Sequence, residues 1–452
     1  MKRLTILAVA LCAAACHTAS APAETAKAVA SATPAKPAAQ EFAITGNPQS
    51  LDLMKQGLGF FENANAAASK PVFEQAVKAD PNNVAAAFFA AFNTPGIEGN
   101  KAFSALAPKI AALPDAERLW LQSYDAMRSG DTANTVETAK KLVAAAPNSP
   151  RAHSLLGFVF GNNDKPADAA VELQKAIDLD PSYAPPHNFL GYADQKLGKL
   201  DDAISQLKTY ADLLPKEANP QDSLGEVLML AGRLDEADAA FQKAIALDPK
   251  FAVAWQGSGY ARFYKGDVAG GLEAFSKSVT TESDPQEKIA AERALAVLQL
   301  AAGKPSDAMK TIATVEKDPA FKNSRGAPTL PVLTAMIQVE TGKPADAVKT
   351  LAPVAAAIEK SDAPAEARIG QNFHRLMVLV SAQARLGKKD DAAKTLAAMD
   401  VIAKVHPGDA TFTDGIAYAN GEVAVAKKDL KAAAAAFTAC SEPNDWCHYE
   451  LM

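Results

Sequence analysis

The chain has 452 residues, of which 48% are hydrophobic but only 7% are aromatic, and its formal net charge is −6. A single hydrophobic core stops growing at roughly 250 to 300 residues, so this length predicts several domains or an open array of repeats. The acidic balance, without a basic patch, argues against binding to nucleic acid, which depends on Lys and Arg side chains at the phosphates.

Residues 1–16 have the pattern of an export signal. Two basic residues precede the apolar run 4–11, which is too short for a membrane span of about 20 residues. Residues 13–16 resemble a bacterial lipobox, in which the thiol of the last residue, here Cys16, is lipidated and becomes the new N-terminus. Ordinary signal cleavage near residues 21–23 is the alternative. We expect an exported, periplasmic protein, and lipid on Cys16 would anchor it at the outer membrane as its only membrane contact.

Residues 17–45 are predicted to form a disordered tether. They are rich in Ala, Pro, Ser, Thr and Lys, and Phe42 is the first aromatic residue among them. Such a composition cannot bury enough apolar surface to offset the entropy of ordering.

A repeat of 34 residues dominates the middle of the chain. Pro147, Pro181, Pro215 and Pro249 recur at that interval, and four further columns of residues keep the same step. Small residues predict two helices pressed together, a second Gly predicts a left-handed turn between them, and Pro ends the second helix. Each unit is therefore predicted to be a helix hairpin with one apolar face. The columns are Gly157, Gly191, Gly225, Gly259; Gly198, Gly232, Gly266; Ala169, Ala203, Ala237; and Leu173, Leu207, Phe241, Phe275.

These columns resemble the tetratricopeptide-repeat family, whose pattern is Leu-Gly, Gly, Ala, a large apolar residue, Ala and Pro. Residues 150–283 match it closely. The resemblance implies an all-α fold, a right-handed superhelical solenoid of antiparallel helix hairpins. We expect N-terminal repeats over 46–149, regular repeats over 150–283, and irregular repeats with a C-terminal cap over 284–452, about eleven hairpins in all.

No group of residues has the spacing of a catalytic, cofactor or metal site. The six histidines include no two-His zinc pattern on one helix face, so we predict neither a metal ion nor a cofactor. His153 and His187 lie one repeat apart, and packing against the preceding hairpin is the expected role, with ligand binding as the alternative. Cys440 and Cys447 are expected to form a disulfide in an oxidising compartment.

The resemblance also implies a binding surface. In this family, fixed positions of the first helices line the inner face of the solenoid, where repeat proteins hold peptides. Here the lining is polar and weakly acidic, and we predict a protein-interaction scaffold of the cell envelope that binds a protein or peptide partner in this concave groove. The alternatives are a merely solvated face, or an enzyme or regulatory subunit whose repeats position a catalytic partner. The predicted lining residues are Asn188, Tyr192, Gln195, Asp222, Glu226, Gln256, Tyr260 and Phe263.

Overall fold

The computed structural model describes residues 38–63, 65–94, 96–321, 327 and 329–439, which contain helices and no β-strand. The chain divides into two compact units, and their described parts are residues 38–248 and 249–439. Cys16, Cys440 and Cys447 lie outside the described residues, so lipidation and the disulfide stay predictions.

The unit 38–248 contains six helix hairpins. Its first helices are α1 (Pro48–Phe61), α3 (Val84–Phe92), α5 (Asp115–Ser129), α7 (Pro150–Asn162), α9 (Pro185–Lys196) and α11 (Ala218–Leu230). Its second helices are α2 (Ala66–Ala79), α4 (Gly96–Ala111), α6 (Thr132–Ala145), α8 (Pro166–Leu179), α10 (Leu200–Leu213) and α12 (Leu234–Leu247).

The unit 249–439 contains five hairpins. Its first helices are α13 (Ala252–Tyr264), α15 (Pro285–Ala301), α17 (Leu330–Glu340), α20 (Ala365–Arg385) and α22 (Ala410–Ala426). Its second helices are α14 (Val268–Thr281), α16 (Pro305–Lys317), α18 (Pro344–Leu351) with the short α19 (Val354–Glu359) after it, α21 (Lys389–Val405) and α23 (Leu430–Thr438). The described residues thus hold eleven hairpins, and the prediction of an all-α array of helix hairpins is confirmed.

Hairpins close where a glycine of the first helix meets a large residue of the second. A Cβ atom on Gly191 would lie 2.7 Å from Leu207, and one on Gly225 would lie 2.7 Å from Phe241. Both large side chains are fully buried and follow their glycine by 16 residues. The same step and the same close approach occur in four more hairpins, in the pairs Gly57 and Phe73, Gly157 and Leu173, Gly259 and Phe275, and Gly421 and Phe437.

The turn inside a regular hairpin needs a left-handed residue. Gly198 has φ 75° and Gly232 has φ 71°. The amide of Lys199 then donates to the carbonyl of Asp194 at 2.8 Å, which satisfies a carbonyl that the helix end would otherwise leave free. In the α7–α8 hairpin Asp164, with φ 54°, takes this place without a glycine.

The hairpins after residue 284 share a polar contact of their own, which the sequence analysis missed. In three consecutive hairpins a Thr hydroxyl of the second helix donates to the side-chain carbonyl of a Gln on the first helix, at 2.8 to 2.9 Å. The Thr follows the Gln by 12 residues each time. A Gln and a Thr at that spacing in the sequence could therefore have predicted this contact. The pairs are Gln299 and Thr311, Gln338 and Thr350, and Gln383 and Thr395.

The close approach at Gly225 leads to a stability prediction. Gly225→Ala should lower the free energy of unfolding by about 1–3 kcal/mol, because the new methyl group would overlap the fully buried Phe241 ring. Urea denaturation measures the change.

The matched control is Gly59→Ala, also inside a first helix, where a Cβ would meet nothing within 4 Å. This variant should be stabilised by about 0.5–1 kcal/mol, because Ala favours the helix. Equal effects of the two substitutions would contradict the packing argument.

Candidate functional site

Three rows of side chains recur along the first helices of the unit 38–248 at the 34-residue step. We call them the first-helix face, and they include most of the lining residues predicted for this unit. The rows are Glu117, Arg151, Pro185, Asn219; Trp120, Ser154, Asn188, Asp222; and Tyr124, Phe158, Tyr192, Glu226.

Tyr192 and Glu226 join neighbouring first helices. The Tyr192 hydroxyl on α9 donates to Glu226 Oε2 on α11 at 2.6 Å. The residues are one repeat apart, so the repeat places them in the same row. Asn188 and Gln195 lie on α9 and are half-buried beside them.

Asp222 is buried without a hydrogen-bonding partner for one of its oxygens. Only 5% of the residue is exposed, and Oδ1 has no donor among the described residues. The side-chain carbonyl of Asn188, in the same row, is also buried and lacks a donor. Buried acceptors are normally satisfied, so these two atoms mark an unusual place on the first-helix face.

Burial shifts the pKa values of this group in one direction. Loss of solvation, helped by the charge of Glu226, raises the pKa of Asp222 from its usual 3.8 to about 8. Burial also raises the pKa of Glu226, against the effect of the hydrogen bond from Tyr192. The pKa of the Tyr192 phenol is raised by burial and by the charge of Glu226. Asp222 therefore carries a proton at neutral pH.

The three lining residues predicted on α13 belong to the other unit. Gln256 is half-buried, and the Tyr260 ring contacts the Phe275 ring edge-on at 4.6 Å. Phe263 is only 2% exposed and belongs to the hydrophobic core, so its predicted place in the lining is wrong. The reason is that Phe263 lies against the second helix of its own hairpin, where Gly271 stands in the Ala column and a Cβ atom would come within 3.0 Å of Phe263 Cβ.

His153 and His187 have structural roles, as expected. His153 Nε2 lies 2.9 Å from the carbonyl oxygen of Pro147, and His187 Nε2 lies 3.1 Å from that of Pro181. Each ring thus ties a first helix to the proline that ends the previous repeat. In the unit 249–439 the Trp255 indole donates to the Pro249 carbonyl at 3.1 Å in the same way.

A segment before the first helix occupies part of the first-helix face. Residues 40–45, which we call the arm, lie outside the helices, and exposed and half-buried residues alternate along 41–45, although the sequence predicts a disordered tether that ends at residue 45. Thr45 donates to Glu117 through its amide at 3.0 Å and through its hydroxyl at 2.6 Å. The Phe42 ring packs edge-on against Trp120, with centroids 5.4 Å apart. The predicted boundary of the disordered tether at residue 45 is therefore wrong, because the arm contacts α5 and α7.

Glu41 anchors the other end of the arm at the start of α7. Its carboxylate accepts the Ser149 hydroxyl at 2.7 Å and the Arg151 amide at 3.0 Å, so a helix N-terminus receives the negative charge. The Arg151 guanidinium pairs with Glu62 at 2.7 Å. Burial by itself would lower the pKa of Arg151, but the charges of Glu62, Tyr183 and Glu41 raise it.

The composition of residues 17–45 hid the arm, but the order of its residues carried a signal. Phe42 and Ile44 alternate with polar or small neighbours, and both pack against the core of the unit while the residues between them are exposed. Alternation of this kind is typical of an extended strand that packs on one side. The docking position on α5 and α7 could not be read from it.

The described residues contain no group of His, Cys, Asp and Glu side chains that could hold a metal ion. Among the helices given above, none has the length and apolar composition needed to cross a membrane.

The raised pKa of Asp222 predicts a pH-dependent stability. The carboxyl favours the folded state when protonated, so its contribution is fully present below pH 4 and is lost as the pH rises to about 8 and beyond. Asp222→Asn cannot ionise, and we expect it to raise the free energy of unfolding at pH 9 by about 1–3 kcal/mol over wild type. At pH 4 urea denaturation should find little difference.

Asp212→Asn is the control, because Asp212 is exposed on α10. Its effect should be small at both pH values. If Asp222→Asn shifted stability equally at pH 4 and pH 9, ionisation of the buried carboxyl would not be the cause.

One hairpin matches a known family, and parts of the chain are similar to solved structures. Residues 219–251, which comprise α11 and α12, match the family described as Tetratricopeptide repeat. No curated protein matches the chain. The solved structure of MamA is 28% identical, covers 35% of this chain and 93% of its own, and has a TM-score of 0.33.

Two further solved structures are less similar in sequence. A tetratricopeptide repeat protein from Parabacteroides merdae is 17% identical, covers 58% of this chain and 99% of its own, and has a TM-score of 0.43. PilF from Pseudomonas aeruginosa is 15% identical, covers 46% of this chain and 96% of its own, and has a TM-score of 0.38. The matched hairpin at 219–251 has the same glycine contact and left-handed turn as the α9–α10 hairpin before it, and this part of the chain is a tetratricopeptide repeat.

Proposed function

We propose that this protein-interaction scaffold binds an extended segment of a partner protein along the first-helix face of the unit 38–248. Tetratricopeptide repeats present such surfaces for protein partners. The observation that carries the proposal is the arm, an extended segment of the chain itself that lies on this face. A surface that holds one extended segment in this way has the chemistry to hold another.

The arm uses both backbone and side-chain anchors, spread over two repeats. Glu117 receives the backbone amide of Thr45, a contact that any residue except proline could make. Trp120 receives an aromatic ring, and the start of α7 receives a carboxylate. Affinity from such a site comes from a few buried aromatic and charged anchors, with the remaining contacts excluding water.

The part of the face formed by α9 and α11 supports the same function. Tyr192 offers an aromatic ring fixed by a hydrogen bond, and aromatic residues held in one rotamer cost little entropy on binding. The neighbouring acceptors on Asp222 and Asn188 lack donors. A face that served only as a solvated surface would gain nothing from burying unsatisfied acceptors, because each such atom costs stability.

Competition between the arm and a free peptide tests the proposal. A labelled peptide of residues 38–47 should bind weakly to wild type, where the tethered arm competes at an effective concentration on the order of millimolar. The variant Glu41→Ala with Phe42→Ala loses two anchors of its own arm, and we expect it to bind the peptide about tenfold more tightly than wild type does. Fluorescence anisotropy measures both affinities.

Trp120→Ala, added to this variant, should abolish peptide binding, because the Phe42 ring of the peptide loses its contact. A peptide with the same composition in scrambled order is the second control. Equal affinity of wild type and the Glu41 and Phe42 variant would contradict an exchangeable site.

The proposed function includes export to the cell envelope. Its support is the charged and apolar start of the chain and the lipobox resemblance at Cys16. Metabolic labelling with a fatty acid should mark the wild-type chain in bacterial membranes, while Cys16→Ser should remain unlabelled. Labelling of both chains, or of neither, would remove the lipid anchor from the proposal and leave the peptide-binding function to stand on the arm.

A further inference from the structure

One place on the first-helix face holds acidic groups without a basic partner. Asp222 and Glu226 lie four residues apart on α11 and therefore on the same side of the helix. No Lys or Arg among the described residues forms an ion pair with either carboxyl. The only donor recorded for the pair is the Tyr192 hydroxyl, which reaches one oxygen of Glu226.

Two other buried carboxylates on or next to first helices are paired with arginine. Glu62, at the end of the first hairpin's α1, receives the Arg151 guanidinium at 2.7 Å. In the other unit Glu422, only 2% exposed, lies 3.2 Å from Arg385. Glu117 is satisfied differently, by an amide and a hydroxyl of the docked arm. Asp222 is buried like these carboxylates. Among the described residues, however, its Oδ1 atom accepts a hydrogen bond neither from an arginine nor from an amide or hydroxyl group.

We propose that Asp222, Glu226 and Asn188 form an acceptor site for the cationic end of one Arg or Lys side chain of the bound partner segment. This site rests on the proposed function and specifies the chemistry of the ligand. A guanidinium or ammonium group supplies several donors and no acceptor, and these are the groups that Asp222 Oδ1 and the Asn188 carbonyl lack. The acidic balance of the chain favours the approach of a cation.

The hydrogen bond from Tyr192 prepares the site. It holds Glu226 Oε2 at 2.6 Å and so sets the orientation of that carboxylate toward α9. Asn188 and Asp222 belong to the same row on the two neighbouring helices. The arm crosses α5 and α7 in a comparable way, with anchors at Glu117 and Trp120 on α5 and at the start of α7.

Binding of a cation is linked to loss of a proton. The groups that act on the Asp222 carboxyl in the described residues are its own burial and Glu226 on the same helix, while Tyr192 on α9 acts on Glu226. Because the pKa of Asp222 is about 8, a cation that binds at pH 7 must displace its proton. The affinity of a cationic side chain should therefore rise between pH 6 and pH 9.

Calorimetric titration with a blocked tetra-arginine peptide tests the site in the full-length chain. Its neutral counterpart is the tetra-citrulline peptide, which has nearly the same shape without the charge. We expect the arginine peptide to bind about tenfold or more tightly than the citrulline peptide. Measured in two buffers of different ionisation heat at pH 7, its binding should release about one proton.

Matched variants separate this site from general attraction to an acidic protein. Asp222→Asn and Glu226→Gln should each weaken arginine-peptide binding by about tenfold or more. Asp212→Asn removes an exposed carboxyl group on α10 and should alter the binding less than about twofold. Asp222→Asn should also abolish the proton release. Thermal unfolding checks that each variant is folded. If Asp222→Asn does not fold, Glu226→Gln provides the test.

Equal losses in all three variants, or equal affinity for the arginine and citrulline peptides, would overturn the proposal. The arm peptide distinguishes this failure from failure of the proposed function. If the arm peptide binds at Trp120 while the arginine peptide does not bind at Asp222, the cation site is wrong and the scaffold function stands. If neither peptide binds, both are wrong.

Discussion

The close approach of two helices at one glycine is the contact on which each regular hairpin depends. A first helix can press against its partner only where it carries no Cβ, and the large residue 16 positions later fills the space that the glycine leaves. In packed interiors an added methyl group has nowhere to go without moving the ring or the helix. Repetition of this contact at the 34-residue step orients each first helix in the same way within its hairpin.

Constant orientation leaves the chemistry of the first-helix face free to vary from repeat to repeat. At one row the chain places Trp120, Ser154, Asn188 and Asp222 in succession. The early repeats use aromatic groups, with Tyr124 in ring contact with Phe61 and Phe89, and there the arm is docked. The later repeats, α9 and α11, present carboxyl and amide groups instead. Repeats with the same backbone thus carry two chemically different surfaces within one unit.

Buried ionisable groups show where this variation costs stability. Arg151 and Arg385 each offset burial with carboxylates close to the guanidinium, and breaking either pair would leave an uncompensated buried charge. Asp222 instead holds its proton, which avoids burying a charge but leaves an acceptor without a donor. Proteins commonly accept such local costs at binding surfaces, because a ligand that supplies the missing partner gains the energy that folding did not.

The sequence by itself determined the helix hairpins and their approximate number, because these depend on residues at short, fixed separations. It also placed Tyr192 and Glu226 in one row, since a regular repeat carries a position from one helix to the next. Only the tertiary structure decided which of those positions is open. Phe263 occupies a lining position and is buried, because Gly271 on the facing helix lets the two helices approach closely at Phe263.

The arm and the Asp222 carboxyl depended on tertiary structure for the same reason. The arm meets Glu117, Ser149 and Arg151, some 70 to 110 positions further along the chain, and no local pattern identifies partners at such distances. The pKa of Asp222 depends on how much water its neighbours exclude, which composition and spacing do not specify. Local periodicity determined the helix hairpins, whereas burial and long-range contacts determined the arm and the environment of Asp222.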